Sequence, residues 1–282
     1  MLNSNADTLL GCRCPYEQAD FVLFGAPFDS TASFRPGARF ASKAMRADSE
    51  CLESYSPYLD RDLADIAAHD AGDLALCIGE TETALGQIEE FTARLLRDGK
   101  RPAMVGGEHL VSLGAMRALH RACPDLRVLH FDAHADLRDD YLGARLSHAT
   151  VMRRVWELLG DGRIHQFGVR SGDRSEFQWA GGHVHMRKFD FGGLEGAVRA
   201  LAGRPVYLTL DLDVLDPSVL PGTGAPEAGG VGFHALLDAL TLLRPLDIRG
   251  FDMVELSPCC DPSGASTATA CKLLRELLLI LG

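Results

Sequence analysis

One phrase recurs along this chain: a short apolar run, a turn carrying glycine, acid or histidine, then a longer stretch with helical spacing. Six runs have the continuous apolarity of strands covered on both faces, at 20–29 (DFVLFGAPFD), 102–109 (PAMVGGEH), 126–136 (LRVLHFDAHAD), 163–173 (RIHQFGVRSGD), 205–217 (PVYLTLDLDVLDP) and 248–258 (IRGFDMVELSP). Such strands need helices on both sides of their sheet, and 81–100, 147–162, 233–244 and 266–282 have the spacing to provide them. In 81–100, Leu85, Ile88, Phe91, Leu95 and Leu96 share one side, and Gly99 marks the stop. The alternation predicts a parallel α/β sheet. No Gly/Ser/Pro linker or fixed-period repeat divides the 282 residues, so one domain over 1–282 is expected, with 1–19 as an N-terminal extension within it.

Charge and composition narrow the function classes. Lys plus Arg is 28 and Asp plus Glu is 39, giving 28 − 39 = −11, a balance that disfavours nucleic acid and suits a cationic small substrate. The start lacks a basic segment followed by an apolar run, and no uninterrupted apolar stretch reaches about 18 residues, so a cytoplasmic protein without a membrane partner is expected. Eight cysteines at 12, 14, 51, 77, 123, 259, 260 and 271 form no CxxC pair and read as small hydrophobes or ordinary thiols. The glycine-rich stretch 221–232 lacks both GxGxxG and GxxxxGK[ST], which argues against a dinucleotide or P-loop site and leaves it as a loop over a site.

The chemistry concentrates at the ends of the apolar runs. In FDAHAD, Asp132, His134 and Asp136 fall at i, i+2 and i+4, on one side if the segment stays extended. In LDLDVLDP, Asp211 and Asp213 interrupt a run that should be buried, and two buried carboxylates need cations or strong donors. His109 in GGEH adds a nitrogen from a third strand end. Four carboxylates and two imidazoles exceed what one ion requires and suit a pair of borderline divalent ions better than a thiolate zinc site. Two ions about 3.5–4 Å apart could share a bridging water and lower its pKa, which points to metal-assisted hydrolysis. Spacing alone leaves a phosphate ester, an amide and a guanidinium open. Glu255, at another strand end, could accept hydrogen bonds from a planar cation or pair with Arg35 or Arg39, and a carboxylate facing the substrate argues against a phosphate.

The stretches GAPFDSTASFRPGAR, GGEH, FDAHADLRDDYLGARLSH, QFGVRSG, LDLDVLDPSVLPGTGAPEAGG and DMVELSP, running from about residue 25 to 261, resemble the ureohydrolase family of arginases and agmatinases, most closely its compact bacterial and archaeal agmatinases. The resemblance implies a single three-layer α/β/α domain around a mainly parallel eight-stranded sheet. It implies two Mn2+ per subunit, one held by His109, Asp132, Asp136 and Asp211 and the other by Asp132, His134, Asp211 and Asp213. A hydroxide bridging the ions would attack the guanidino carbon, Glu255 would orient the guanidinium, Asp136 would relay a proton to the leaving amine, and His148 would serve proton transfer or substrate positioning. The implied substrate is agmatine, cleaved to putrescine and urea, with guanidinobutyrase, another guanidino-acid ureohydrolase or arginase as alternatives and an inactive structural or regulatory homologue as a different class. A homo-trimer or homo-hexamer is implied too. Two positions depart from the family: GGEH replaces the usual GGDH, so Glu108 should alter the support around His109 without loss of metal, and ASKAMR follows RPGAR. Arginases place an asparagine where this chain has Arg138, which fits the agmatinase-like branch; Asp139 and Asp140 either add negative potential for a distal ammonium or form a solvated loop.

Overall fold

The apolar runs become strands because both of their faces are covered. In the computed structural model, which describes residues 7–282, the chain passes through β1 (Phe21–Ala26), α1 (Ala41–Ser49), β2 (Tyr55–Ser56), β3 (Arg61–Asp62), β4 (Ala68–Asp73), α2 (Thr81–Arg97), β5 (Arg101–Gly106), α3 (Ser112–Ala122) and β6 (Arg127–Phe131). It continues through α4 (Val151–Leu159), β7 (Ile164–Val169), α5 (Arg174–His183), β8 (His185–Lys188), α6 (Leu194–Leu201), β9 (Pro205–Asp211), α7 (Phe233–Thr241), β10 (Asp247–Val254) and α8 (Ala265–Leu281). Every residue of β1 and β7 is buried, as continuous apolarity predicts.

Eight strands form one sheet in the order β4-β1-β5-β10-β9-β6-β7-β8, and every pairing in it is parallel; β2 and β3 make a separate antiparallel pair. Alternate residues of each strand feed two cores. Phe21, Leu23, Leu129, Leu208 and Phe251 pack with Met45 of α1, Leu194 of α6, Leu240 of α7 and Leu274 of α8. Val22, Phe24, Met104, Val128 and Val254 pack with Ile88 of α2, Met116 of α3, Val155 of α4 and Ala180 of α5. The architecture is therefore α/β/α in three layers, as the resemblance implied.

The six expected strands are present, whereas β4 and β8, the two edges, escape the sequence pattern. Their residues AHDAGD and HMRK carry charge because an edge strand meets solvent. Helices α1, α3, α5 and α6 were also not among the expected ones. Of the extension expected over 1–19, residues 1–6 lie outside the described residues; beyond them Leu9 is buried, with its backbone N–H on Asp70 Oδ2 at 2.8 Å. The apolar run of α8 is core, and its buried Glu276 is satisfied by Arg275 Nη2 and the Ser56 hydroxyl, both at 2.5 Å. Among the described residues no helix is long and apolar enough to cross a membrane.

Candidate metal centre

Four neighbouring strands, β5, β10, β9 and β6, deliver the sequence-predicted residues at their C-terminal ends. The chain builds β5 and then β6, and only later inserts β9 and β10 between them, so a crevice opens where the winding changes direction. Gly107 is required by close approach: a Cβ there would sit 1.9 Å from the Phe28 carbonyl oxygen. The backbone around it is pinned on both sides, with Glu108 N–H donating to Phe28 O at 2.8 Å and Glu255 N–H donating to Gly107 O at 2.9 Å.

Residues 132–136 do not stay extended. β6 ends at Phe131, and Asp136 takes a left-handed φ of 54°. Asp211 likewise caps a 3-10 turn, Leu212–Val214, in which Asp213 lies. The expected residues thus converge through turns rather than through strand alternation. Glu255 also has a positive φ, 65°, so two non-glycine residues of this crevice hold a strained backbone that aims their carboxylates inward.

Asp132 belongs to two groups of ligating atoms. His109 Nδ1 lies 3.0 Å from Asp132 Oδ2 and 3.2 Å from both Asp136 Oδ2 and Asp211 Oδ2. His134 Nδ1 lies 2.9 Å from Asp213 Oδ2 and 3.6 Å from Asp132 Oδ1. The cluster is a pair of His/Asp sets suited to two metal ions and joined through Asp132. Electrostatics show the need for cations. Burial, then the charge of Asp132, pushes the Asp136 carboxyl up to about 7, and burial with Asp213 and Asp132 drives Asp211 well above the carboxylate range. Burial opposes ionisation of Asp132 too, yet His130, His109 and His134 hold it well below its ordinary value.

A buried polar spine, missed in the sequence, sets the histidine tautomers. Thr209 Oγ1–H donates to Asp252 Oδ1 at 2.6 Å and Tyr207 OH donates to Asp252 Oδ2 at 2.8 Å, all three residues being fully buried. With its one hydroxyl proton on Asp252, Thr209 accepts from His109 Nε2–H at 2.9 Å. His109 Nδ1 then points, buried, into three carboxylate oxygens, the ligand set of a divalent ion. Without an ion those oxygens draw a proton onto it instead: burial opposes the charge, but Asp132, Asp136 and Asp211 raise the imidazole well above its ordinary value. His130 is different: Gln166 Nε2 donates to its Nδ1 at 2.9 Å and its Nε2–H donates to Asp132 Oδ2 at 2.7 Å, so neither ring nitrogen remains for an ion. A signal for this spine exists in the sequence, since Tyr207, Thr209 and Asp211 occupy alternate positions of an otherwise apolar strand, as do His130 and Asp132.

The cluster opens into a cavity of about 250 Å³, room for a small linear molecule, whose wall includes Glu255, His148, Arg138, Tyr141, Phe34 and Gly224. Gly224 and Ala225 bear out the reading of 221–232 as a loop over the site. Glu255 makes neither arginine pair considered for it: Oε1 accepts the His109 backbone N–H at 2.7 Å, Arg39 pairs with Asp29, and Arg35 donates to Cys260 Sγ and the Thr223 carbonyl. Burial, then the Glu108 charge, raises the Glu255 carboxyl well above its ordinary range, a demand that an incoming cation relieves. Asp139 and Asp140 do not line the cavity. Asp139 pairs with Arg154 at 2.7 Å and Asp140 caps a turn through Gly143 N–H at 2.9 Å. Arg138 does line it, neutralised by Asp173 at 2.9 Å and Glu176 at 3.4 Å. The eight cysteines are free thiols.

Known proteins share this arrangement. Residues 19–280 match the arginase family profile. The agmatinase of Bacillus subtilis (strain 168) is 45% identical over 274 residues, 96% of this chain and 94% of that protein. Among solved structures, the agmatine ureohydrolase of Thermoplasma volcanium superposes with a TM-score of 0.90 at 33% identity, covering 99% of this chain and 95% of that one. A proposed agmatinase from Clostridium difficile gives 0.92 at 48% identity, covering 94% and 98% respectively. Sequence, sheet order and site geometry lead to one conclusion: this chain belongs to the arginase family of ureohydrolases.

Proposed function

We propose that this protein is an agmatinase, hydrolysing the guanidino group of agmatine to putrescine and urea within one catalytic domain. The observation that carries the proposal is the doubled His/Asp cluster facing Glu255 across a small cavity. His109, Asp132, Asp136 and Asp211 would hold one Mn2+, and Asp132, His134, Asp211 and Asp213 the other, with Asp132 and Asp211 shared. Bound there, the pair supplies Lewis acidity and a water nucleophilic at neutral pH.

The protein's own groups do the rest. Glu255, half-buried in the cavity wall and acceptor-only when ionised, receives the guanidinium N–H groups and turns the planar carbon toward the cluster. With the aspartate charge taken up by the metal pair, Glu255 is the carboxylate left to ionise against a cationic ligand. Asp136 would take the proton that the attacking water gives up and pass it to the departing amine, and His148 Nε2 exchanges the next with solvent; burial followed by the His134 charge lowers this imidazole to about 4, so it is neutral at rest. Arg138 gives a substrate carboxylate no unpaired cation to bind, because Asp173 and Glu176 already neutralise it. The names of the similar proteins from Bacillus subtilis and Thermoplasma volcanium agree with agmatine.

The test is urea release from manganese-loaded protein with agmatine, L-arginine, 4-guanidinobutyrate and guanidinopropionate in parallel. Turnover selective for agmatine is expected. Preference for an acid-bearing compound would overturn the substrate while leaving the metal chemistry, and absence of urea from all four would overturn the reaction.

A further inference from the structure

Glu108, the family departure in GGEH, does not touch the His/Asp cluster. It is buried, and both carboxylate oxygens turn toward the loop after β1: Thr31 N–H donates to Oε2 at 2.9 Å and Thr31 Oγ1–H donates to Oε1 at 2.7 Å. With Glu108 ionised, Thr31 spends its single hydroxyl proton on the carboxylate, so toward His148 its oxygen acts as an acceptor. It takes the His148 backbone N–H at 3.1 Å and lies 3.4 Å from Nδ1. An acceptor facing Nδ1 favours the tautomer with the proton on Nδ1 and leaves Nε2 as the ring's acceptor on the cavity side, where the Ser33 hydroxyl lies at 3.2 Å. The ring is held edge-on by Tyr141, with centroids 5.6 Å apart and planes at 88°.

We infer that Glu108 is a positioning residue for His148, acting through Thr31, which it orients so that the imidazole keeps Nε2 available to the cavity. The inference rests on the proposed role of His148 in proton exchange. It also explains the extra methylene: an aspartate at 108 would fall short by roughly 1.5 Å, which opens 2.7 and 2.9 Å contacts beyond hydrogen-bonding range. In this chain the longer acid therefore ties the loop after β5 to Thr31, which in turn holds His148 ahead of α4.

A mutant cycle tests this in the manganese-loaded enzyme with agmatine. T31V removes the hydroxyl at constant shape, E108D shortens the acid, T31S keeps the bridging oxygen, and H148A removes the group being positioned. T31V and E108D should each lower kcat roughly ten- to hundredfold, the scale of a misplaced catalytic group, with KM and metal content per chain unchanged, and T31S should restore most of the kcat. In an H148A background T31V should cause no further loss. Independent, multiplying losses in T31V/H148A, loss of metal from T31V, or full activity in T31V would overturn the positioning role. Full kcat in H148A would overturn the role of His148 itself, and the inference with it, a result recognisable from that single variant.

Discussion

Replacing Thr209 by valine isolates what the buried spine does for the metal centre. Valine matches threonine in shape but removes the oxygen between His109 Nε2 (2.9 Å) and Asp252 Oδ1 (2.6 Å). Two hydrogen bonds disappear at a site with no solvent access, one of them to a carboxylate. Buried polar groups left unpaired cost about 1–3 kcal/mol each, and His109 Nε2 loses its partner outright while Asp252 keeps Tyr207 and Ser112. We expect the metal-free protein to lose about 2–4 kcal/mol of stability by urea unfolding. Freed from Thr209, His109 can turn or carry its proton on Nδ1, the nitrogen 3.0–3.2 Å from three carboxylates. Loss of such a partner weakens metal binding about 10- to 100-fold, equivalent to about 1.4–2.7 kcal/mol. Equilibrium dialysis against manganese gives the affinity, with T209S as the variant that keeps the hydroxyl. Wild-type affinity in T209V would refute the claim that Thr209 sets the His109 tautomer.

Other perturbations separate neighbouring roles. D132N should lose both ions, because Asp132 belongs to both ligand sets, whereas E255Q should retain them and lose kcat/KM for agmatine by about 30-fold to several thousandfold, the 2–5 kcal/mol range of a broken buried charge pair; equal metal loss in both would defeat the substrate role of Glu255. R46A should cost about 3–5 kcal/mol near pH 7, since Arg46 bridges Asp70 (2.7 Å) and Asp73 (2.5 Å) beside β1. Burial opposes ionisation of Asp70, but the Arg46 hydrogen bonds and the Leu9 N–H win, leaving its pKa below the ordinary value. The stabilisation is therefore complete above about pH 4 and fades as pH falls through the folded pKa. A wild-type-to-R46A difference in urea midpoint as large in acid as at neutrality would contradict this. G107A should abolish soluble folded protein or metal uptake, because its methyl would meet the Phe28 carbonyl at 1.9 Å; a native urea midpoint would count against the close packing of those loops.

Much of the site was legible in the sequence because its residues violate burial. Asp132, Asp136, Asp211 and Asp213 interrupt runs that have to be internal, so their chemistry could be inferred before any fold was known. These residues do lie together, but by another path than alternation: Asp136 reaches the cluster with a left-handed backbone, which side-chain alternation cannot encode. Asp139 and Asp140 show the opposite failure, since local acidity says nothing of direction and Arg154 and Gly143 take both residues away from the cavity.

By itself, then, the sequence determines that the strands are buried on both faces and that their ends carry ligands for more than one cation. Only the tertiary structure decides that β9 and β10 enter between β5 and β6, setting His109 against Asp211 and Asp132. Only there do Asp252 and Thr209 become a spine and Glu108 reach Thr31. The reason is physical: hydrophobic periodicity reports which faces leave water, whereas the choice of neighbouring strand depends on how distant helices and crossovers pack, and no local pattern carries that information.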